Sequence, residues 1–231
     1  RPTHERTNGL DGWVSLEVSP KLAYDTQSSL AAAQQLHAVA ARPNLFIKIP
    51  GTREGLPAIE EAIFAGVPIN VTLLFSREDY VAAAEAYLRG IERRIEAGLN
   101  PRVGSVASLF VSRWDAAIIG KAPDEFRGQL GIAIARRTYQ AYRDLLASDR
   151  WQRLANFGAF PQRLLWASTG TKDPQASDYL YIKALASPNT VNTMPEETLL
   201  KFADHGTLDG VLSPGGGDAE QTLFAMTRAG V

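Results

Sequence analysis

An α/β fold, made of βα units around a mostly parallel sheet, is predicted for this chain by three observations. Short apolar runs alternate with longer segments of helical period along its whole length. No linker or low-complexity stretch breaks that alternation. Polar side chains also recur at or just after the C-terminal end of one apolar run after another.

Trp13–Val18 reads as the first strand, followed by a helix over Ser29–Ala41 with Leu30, Ala33, Leu36, His37 and Ala40 at i, i+3, i+4 spacing. His37 thus falls on the apolar face, where a buried, hydrogen-bonded histidine is expected rather than a metal ligand. The unit then repeats, with a strand over Asn44–Ile49 and a helix over Gly55–Ala65. A strand over Ile69–Phe75 precedes a helix over Arg77–Ala97, capped by Ser76 and with Asp79 in its first turn. Arg102–Val111 is the fourth strand, and a long, mainly helical region runs from there to Leu154. Arg163–Ala167 is the fifth strand, Ser177–Ala186 a short helix and Thr190–Thr193 a brief sixth strand. Thr193-Met194-Pro195-Glu196 has the form of a capping box opening a helix to Asp204, and Val231 is expected to lie inside a last helix. Ser213-Pro214-Gly215-Gly216-Gly217 is a tight loop, without the Lys-Ser/Thr and flanking elements that cradle a phosphate.

The 231 residues, 45% of them hydrophobic, suffice for one sizeable core, so a single domain over residues 1–231 is expected. Lys and Arg total 24 against 25 Asp and Glu, with no basic block, which predicts neither nucleic acid nor an anionic membrane as partner. The absence of cysteine excludes disulfides, thiolate catalysis and Cys-ligated metals, and fits a reducing cytoplasm. His4, His37 and His205 are scattered, and none stands in ligand spacing with another His or a carboxylate cluster, so no metal is expected. No apolar run is long enough to span a bilayer, and the first residues do not form the basic-then-apolar pattern of a signal peptide, so a soluble chain is expected.

The polar strand-end residues are Glu17, Lys48, Asn70 with Thr72, Ser108 with Arg113, and Ser168 with Lys172. In an α/β barrel that end of the strands carries the active site, assembled from separate elements. Lys48 is the most informative of them, because it places one amine among Phe46, Ile47 and Ile49. An amine held against apolar side chains loses hydration, and its neutral form is a nucleophile toward carbonyls. A strand-end lysine whose ammonium snorkels into water is the competing reading.

Ile47-Lys48-Ile49-Pro50-Gly51-Thr52 with Glu54-Gly55, then Asn70-Val71-Thr72-Leu73-Leu74-Phe75-Ser76, resembles the transaldolase family. Val14-Ser15-Leu16-Glu17-Val18 looks like its preceding strand, and Ser108-Leu109-Phe110-Val111-Ser112-Arg113 is similar to its next active-site strand. Leu165-Trp166-Ala167-Ser168-Thr169-Gly170-Thr171-Lys172-Asp173-Pro174 resembles the bacterial subgroup related to fusions with phosphoglucose isomerase. The match spans nearly all of residues 11–206.

The resemblance implies a (β/α)8 TIM barrel of the class I aldolase type, acting without a cofactor in the pentose phosphate pathway. Its reaction moves a dihydroxyacetone unit from a ketose phosphate to an aldose phosphate. On that pattern Lys48 is the Schiff-base lysine, and Glu17, with Thr72 holding a water between them, shuttles protons. Asn70 and Ser108 would bind the hydroxyls of the three-carbon unit, and Arg113, Ser168 and Lys172 the terminal phosphate. Sugar phosphates are then the partners, the setting is cytoplasmic, and monomer and homodimer both stay open. In the family the first strand supplies an aspartate that takes the C4 hydroxyl proton, and no such strand is found here. With about six strands where the closed barrel takes eight, the first two βα units are expected to be absent and the C-terminus slightly short. A fructose-6-phosphate-type aldolase is the alternative; that related group carries a tyrosine where this chain has Phe110, which cannot donate a proton, so Phe110 favours transfer. A non-catalytic sugar-phosphate-binding fragment is the third reading.

Overall fold

The computed structural model describes residues Arg1–Val231. In chain order its elements are α1 (Pro2–Arg6), β1 (Val14–Glu17), α2 (Thr26–Ala40), β2 (Leu45–Pro50), α3 (Gly55–Phe64), β3 (Ile69–Leu74), α4 (Arg77–Glu96), β4 (Ser105–Phe110), α5 (Ser112–Ile118), α6 (Leu130–Ala147), α7 (Asp149–Asn156), β5 (Gln162–Ala167), α8 (Leu180–Ala184), β6 (Thr190–Asn192), α9 (Glu196–His205) and α10 (Ala219–Arg228). The strands hydrogen-bond in the order β1-β2-β3-β4-β5-β6, and the β1/β2, β2/β3 and β5/β6 pairs are parallel. This is the α/β architecture that alternating strand and helix periods produce. No helix is long and apolar enough to cross a membrane. Arg1–Leu74, Val81–Ala107 and Leu146–Gln162 form one compact unit, and Phe75–Tyr80, Ser108–Leu145 and Arg163–Val231 another.

In the first unit β2 is buried at every position except Lys48, which is half-buried. A strand covered on both faces reads as a continuous apolar run, and the one polar residue in it then stands out. The turn after β2 is fixed by close approach: a Cβ on Gly55 would lie 2.0 Å from the Pro50 carbonyl oxygen. The Thr52 hydroxyl accepts from the Gly55 amide at 3.0 Å and donates to the Ala23 carbonyl, so the start of α3 is anchored to the segment before α2. α2 begins at Thr26, three residues ahead of the expected Ser29, because the Asp25 carboxylate accepts from the Ser28 amide at 2.9 Å and caps the helix. His37 departs from expectation: it is only half-buried and its ring makes no hydrogen bond, since the face of α2 that carries it is not fully covered.

In the second unit α4 opens as its sequence predicts. The Asp79 amide donates to Ser76 Oγ at 3.0 Å, and Asp79 Oδ2 accepts from the Phe75 and Ser76 amides at 2.9 and 3.1 Å. The core holds Trp166, Tyr80, Tyr139 and Tyr142, all fully buried. The Tyr142 hydroxyl reaches the Asn189 carbonyl at 2.8 Å, as a buried phenol requires. Two expectations fail here. Thr193 does not form a capping box, because its amide and hydroxyl both turn to the Trp166 carbonyl, at 3.0 and 3.4 Å, and the α9 cap position is Pro195, without a side-chain bond. Val231 does not lie inside a helix: α10 stops at Arg228 and the chain turns at Gly230, whose φ of +83° suits a helix end.

Candidate active site

Strand register assembles the first group of polar residues. Glu17 of β1 is the register partner of Lys48 in β2, and Lys48 is the partner of Asn70 in β3. Register partners in neighbouring strands share a sheet face, so the three side chains form one row across three strands. Lys48 Nζ stands 3.0 Å from Glu17 Oε2, with the lysine side chain 24% and the glutamate side chain 42% exposed. An amine and a carboxylate at that distance form a charge-assisted pair at the edge of solvent.

Two further residues belong to this row. Asn70 donates from Nδ2 to Ser15 Oγ at 3.1 Å, reaching past β2, and Ser15 lies two residues before Glu17 on the same face. Thr72, two residues after Asn70 on β3, is fully buried, and its Oγ1 has no hydrogen-bond partner. A buried hydroxyl without a partner costs roughly 1–3 kcal/mol, so its retention two residues along β3 from Asn70 needs an explanation beyond packing. Immediately after Thr72 the backbone leaves ordinary strand geometry: Leu73 has a φ of +60°, a conformation that costs a branched L-residue energy and is concentrated at functional sites. Register thus brings Glu17, Lys48 and Asn70 together within the first unit, with Thr72 two residues beyond Asn70 on the same strand.

The second unit holds the other four. Ser108 is buried in β4, and Arg113 sits in the first turn of α5, just past the end of β4. The Arg113 guanidinium lies 4.7 Å from the Phe110 ring centroid and makes no ion pair, so it is a positioned, exposed cation. The end of β5 runs beside it, because the Ser112 amide donates to the Ser168 carbonyl at 3.0 Å and the two serine hydroxyls meet at 2.9 Å. Ser168 has a φ of +55°, a second strained position at a strand end. Lys172, four residues on, is exposed, has no carboxylate partner, and lines a concavity shared with Arg127, Asp173 and Tyr181.

Four residues that matter here were not singled out from sequence. Ser15 and Ser112 are ordinary small polar residues there, and their signal is only their place two residues before Glu17 and one before Arg113. Asp115 and Tyr181 form a buried pair, with Tyr181 Oη donating to Asp115 Oδ2 at 2.8 Å. Asp115 also accepts from the Leu130 and Gly131 amides at 3.0 and 3.3 Å, which caps α6. Burial pushes the Asp115 carboxyl above its ordinary range, against the downward pull of those three donors. Burial, together with the adjacent Asp115 charge, holds the Tyr181 phenol firmly protonated. The pair ties α5, which carries Arg113, to α8 behind the Lys172 loop.

Comparison with known proteins adds an independent line. A family profile described as Transaldolase/Fructose-6-phosphate aldolase matches residues 4–231. A transaldolase of Acidothermus cellulolyticus is 47% identical over 239 residues, covering 100% of this chain and 64% of its own. Transaldolase 1 of Streptomyces avermitilis is 48% identical over 240 residues, with the same 100% and 64% coverage. The transaldolase of Thermobifida fusca is 48% identical, with 65% of its length covered. The chain therefore spans about 64% of the length of these curated relatives. With the profile covering nearly every residue and identities close to one in two, this chain belongs to the transaldolase/fructose-6-phosphate aldolase family.

Proposed function

We propose that this chain carries the Schiff-base site of a transaldolase, one that passes a dihydroxyacetone unit from fructose 6-phosphate or sedoheptulose 7-phosphate to glyceraldehyde 3-phosphate or erythrose 4-phosphate. The observation that carries the reading is Lys48 held 3.0 Å from Glu17 in a row that continues to Asn70, inside a chain of this family. The Lys48 amine attacks the ketose C2 carbonyl, and loss of water from the carbinolamine leaves a protonated imine. The electrons of the C3–C4 bond pass into that imine as the C4 hydroxyl gives its proton to a base, the role an aspartate of the first strand fills in the family, and the aldose leaves. The enamine that remains attacks the aldehyde carbon of the acceptor, and hydrolysis of the new imine frees Lys48. Glu17, with the unpartnered Thr72 hydroxyl holding a water between them, moves the protons that carbinolamine formation and dehydration require. Asn70 and Ser108 hold the hydroxyls of the three-carbon unit.

Arg113, Ser168 and Lys172 take the terminal phosphate in this reading, a guanidinium, a hydroxyl and an ammonium matching its charge and acceptors. Phe110 favours transfer over simple aldol cleavage, since its ring offers no proton to position a water, and it lies beneath the Arg113 guanidinium. A single barrel domain, a cytoplasmic setting and action as a monomer or homodimer are parts of the same proposal. Borohydride reduction in the presence of fructose 6-phosphate tests its centre, with a stable mass adduct expected on the peptide containing Lys48. An adduct on Lys21, Lys172 or any other lysine would overturn it.

A further inference from the structure

We propose that Arg127 is a positioning residue for the phosphate site: by holding the Asp173 carboxylate it keeps the adjacent Lys172 ammonium available to a phosphorylated sugar. The inference rests on the function proposed above and adds a residue to it from outside the strand ends. Lys172 and Asp173 are neighbours in sequence and line the same two concavities, so the carboxylate is a natural competitor for the ammonium. It does not compete. Asp173 Oδ2 accepts from Arg127 Nη1 at 2.9 Å, and Asp173 Oδ1 accepts from the Gln175 amide at 2.9 Å, so both oxygens are engaged away from Lys172. The Asp173 side chain is only 12% exposed, whereas the other Arg127 partner, Asp124, is 89% exposed. The Gln175 amide and then the Arg127 guanidinium hold the Asp173 carboxyl below its ordinary value, so it stays ionised and would be a strong competitor once released.

The geometry gives Arg127 this task because its planar fork serves two carboxylates at once, Asp124 through Nη2 and Asp173 through Nη1. Lys172, by contrast, has neither an ion pair nor a hydrogen bond of its own, although a carboxylate follows it in the chain. Lys183 and Lys201, by comparison, are paired with Asp209 at 2.6 Å and Glu197 at 2.8 Å, so a lysine beside an available acid on this unit can be neutralised by it.

The test is transfer from fructose 6-phosphate and from unphosphorylated fructose to glyceraldehyde, measured on the whole protein. Arg127→Met should raise KM for fructose 6-phosphate about 5- to 20-fold and leave kcat, and the KM for fructose, within about twofold. Adding Asp173→Asn to Arg127→Met removes the released charge and should return KM to within about threefold of the parent. Arg127→Lys, which keeps one cation near Asp173, should lie between the parent and Arg127→Met. Equal losses on the two sugars would assign Arg127 to structure and overturn the proposal, as would an elevated KM that Asp173→Asn fails to restore. If the parent protein forms no imine with either sugar, the underlying functional reading is what fails, and the two failures are thereby distinguished.

Discussion

Replacing Glu17 by Gln separates chemistry from stability at the Lys48 pair. The side chain keeps its shape and loses its charge, so the row through Lys48 and Asn70 persists while the proton acceptor disappears. Stability should change little. At 3.0 Å, with the two side chains 24% and 42% exposed, an effective dielectric of about 40–80 gives a Coulomb energy of roughly 1–3 kcal/mol. Solvent screening and the entropy of holding two long side chains reduce the net value of such a pair to about 1 kcal/mol or less. The chemical cost is much larger. In the proposed reaction Glu17 takes and returns the protons that carbinolamine formation and the departure of water require. Losing a general acid and base of this kind costs about 10²- to 10⁴-fold in rate. The assay is the rate at which fructose 6-phosphate is trapped on Lys48 by borohydride in a single turnover, alongside thermal unfolding of the same preparation. A trapping rate within threefold of the parent would make Glu17 a bystander. A stability loss above about 3 kcal/mol would show instead that the pair is a structural element of the sheet.

Two further outcomes are expected. Arg113→Ala should remove a charge-assisted contact worth about 2–4 kcal/mol, lowering kcat/KM for fructose 6-phosphate roughly 30- to 1000-fold and that for fructose far less; equal losses on both would end the phosphate assignment. The buried Asp115 carboxyl binds its proton more tightly in the folded protein than in the unfolded chain. Its contribution to stability is therefore fully present below the ordinary carboxyl value of 3.8 and is lost as pH rises through the higher folded value, so the unfolding free energy of the parent relative to Asp115→Asn should decline across that window. A difference between the two proteins that is flat from acid to neutral pH would contradict this, and urea unfolding at a series of pH values measures it.

The strands were legible because each is a short apolar run, and the structure places all six within a few residues of where periodicity puts them. Lys48 was legible for the same reason, as the one polar residue in a strand otherwise buried from end to end. Caps fared unevenly. Ser76 and Asp79 satisfy each other locally, which sequence spacing can reveal, whereas Thr193 is drawn to a carbonyl 27 residues away that no local pattern announces. The same limit hid Ser15, Asp115, Tyr181 and Arg127, whose roles rest on partners 46 to 66 residues distant. His37 misled because helical period locates a face without saying what, if anything, covers it.

The row Glu17–Lys48–Asn70 exists only through parallel register, and this makes strand length a chemical variable. Inserting or deleting a single residue within β1 or β2 would turn every later side chain of that strand to the opposite face and carry Lys48 or Glu17 out of the pair. The connections between strands are under no such parity rule. Residues 42–43 can change length while the pair survives, provided the strands re-enter in the same phase, whereas Ala23, Asp25 and Asn44 are held by the bonds of their own backbone or side chains. An inventory of tolerated insertions across this chain should therefore show sharp exclusion at 14–17 and 45–48 and tolerance at 42–43, a pattern set by geometry before any substrate is bound.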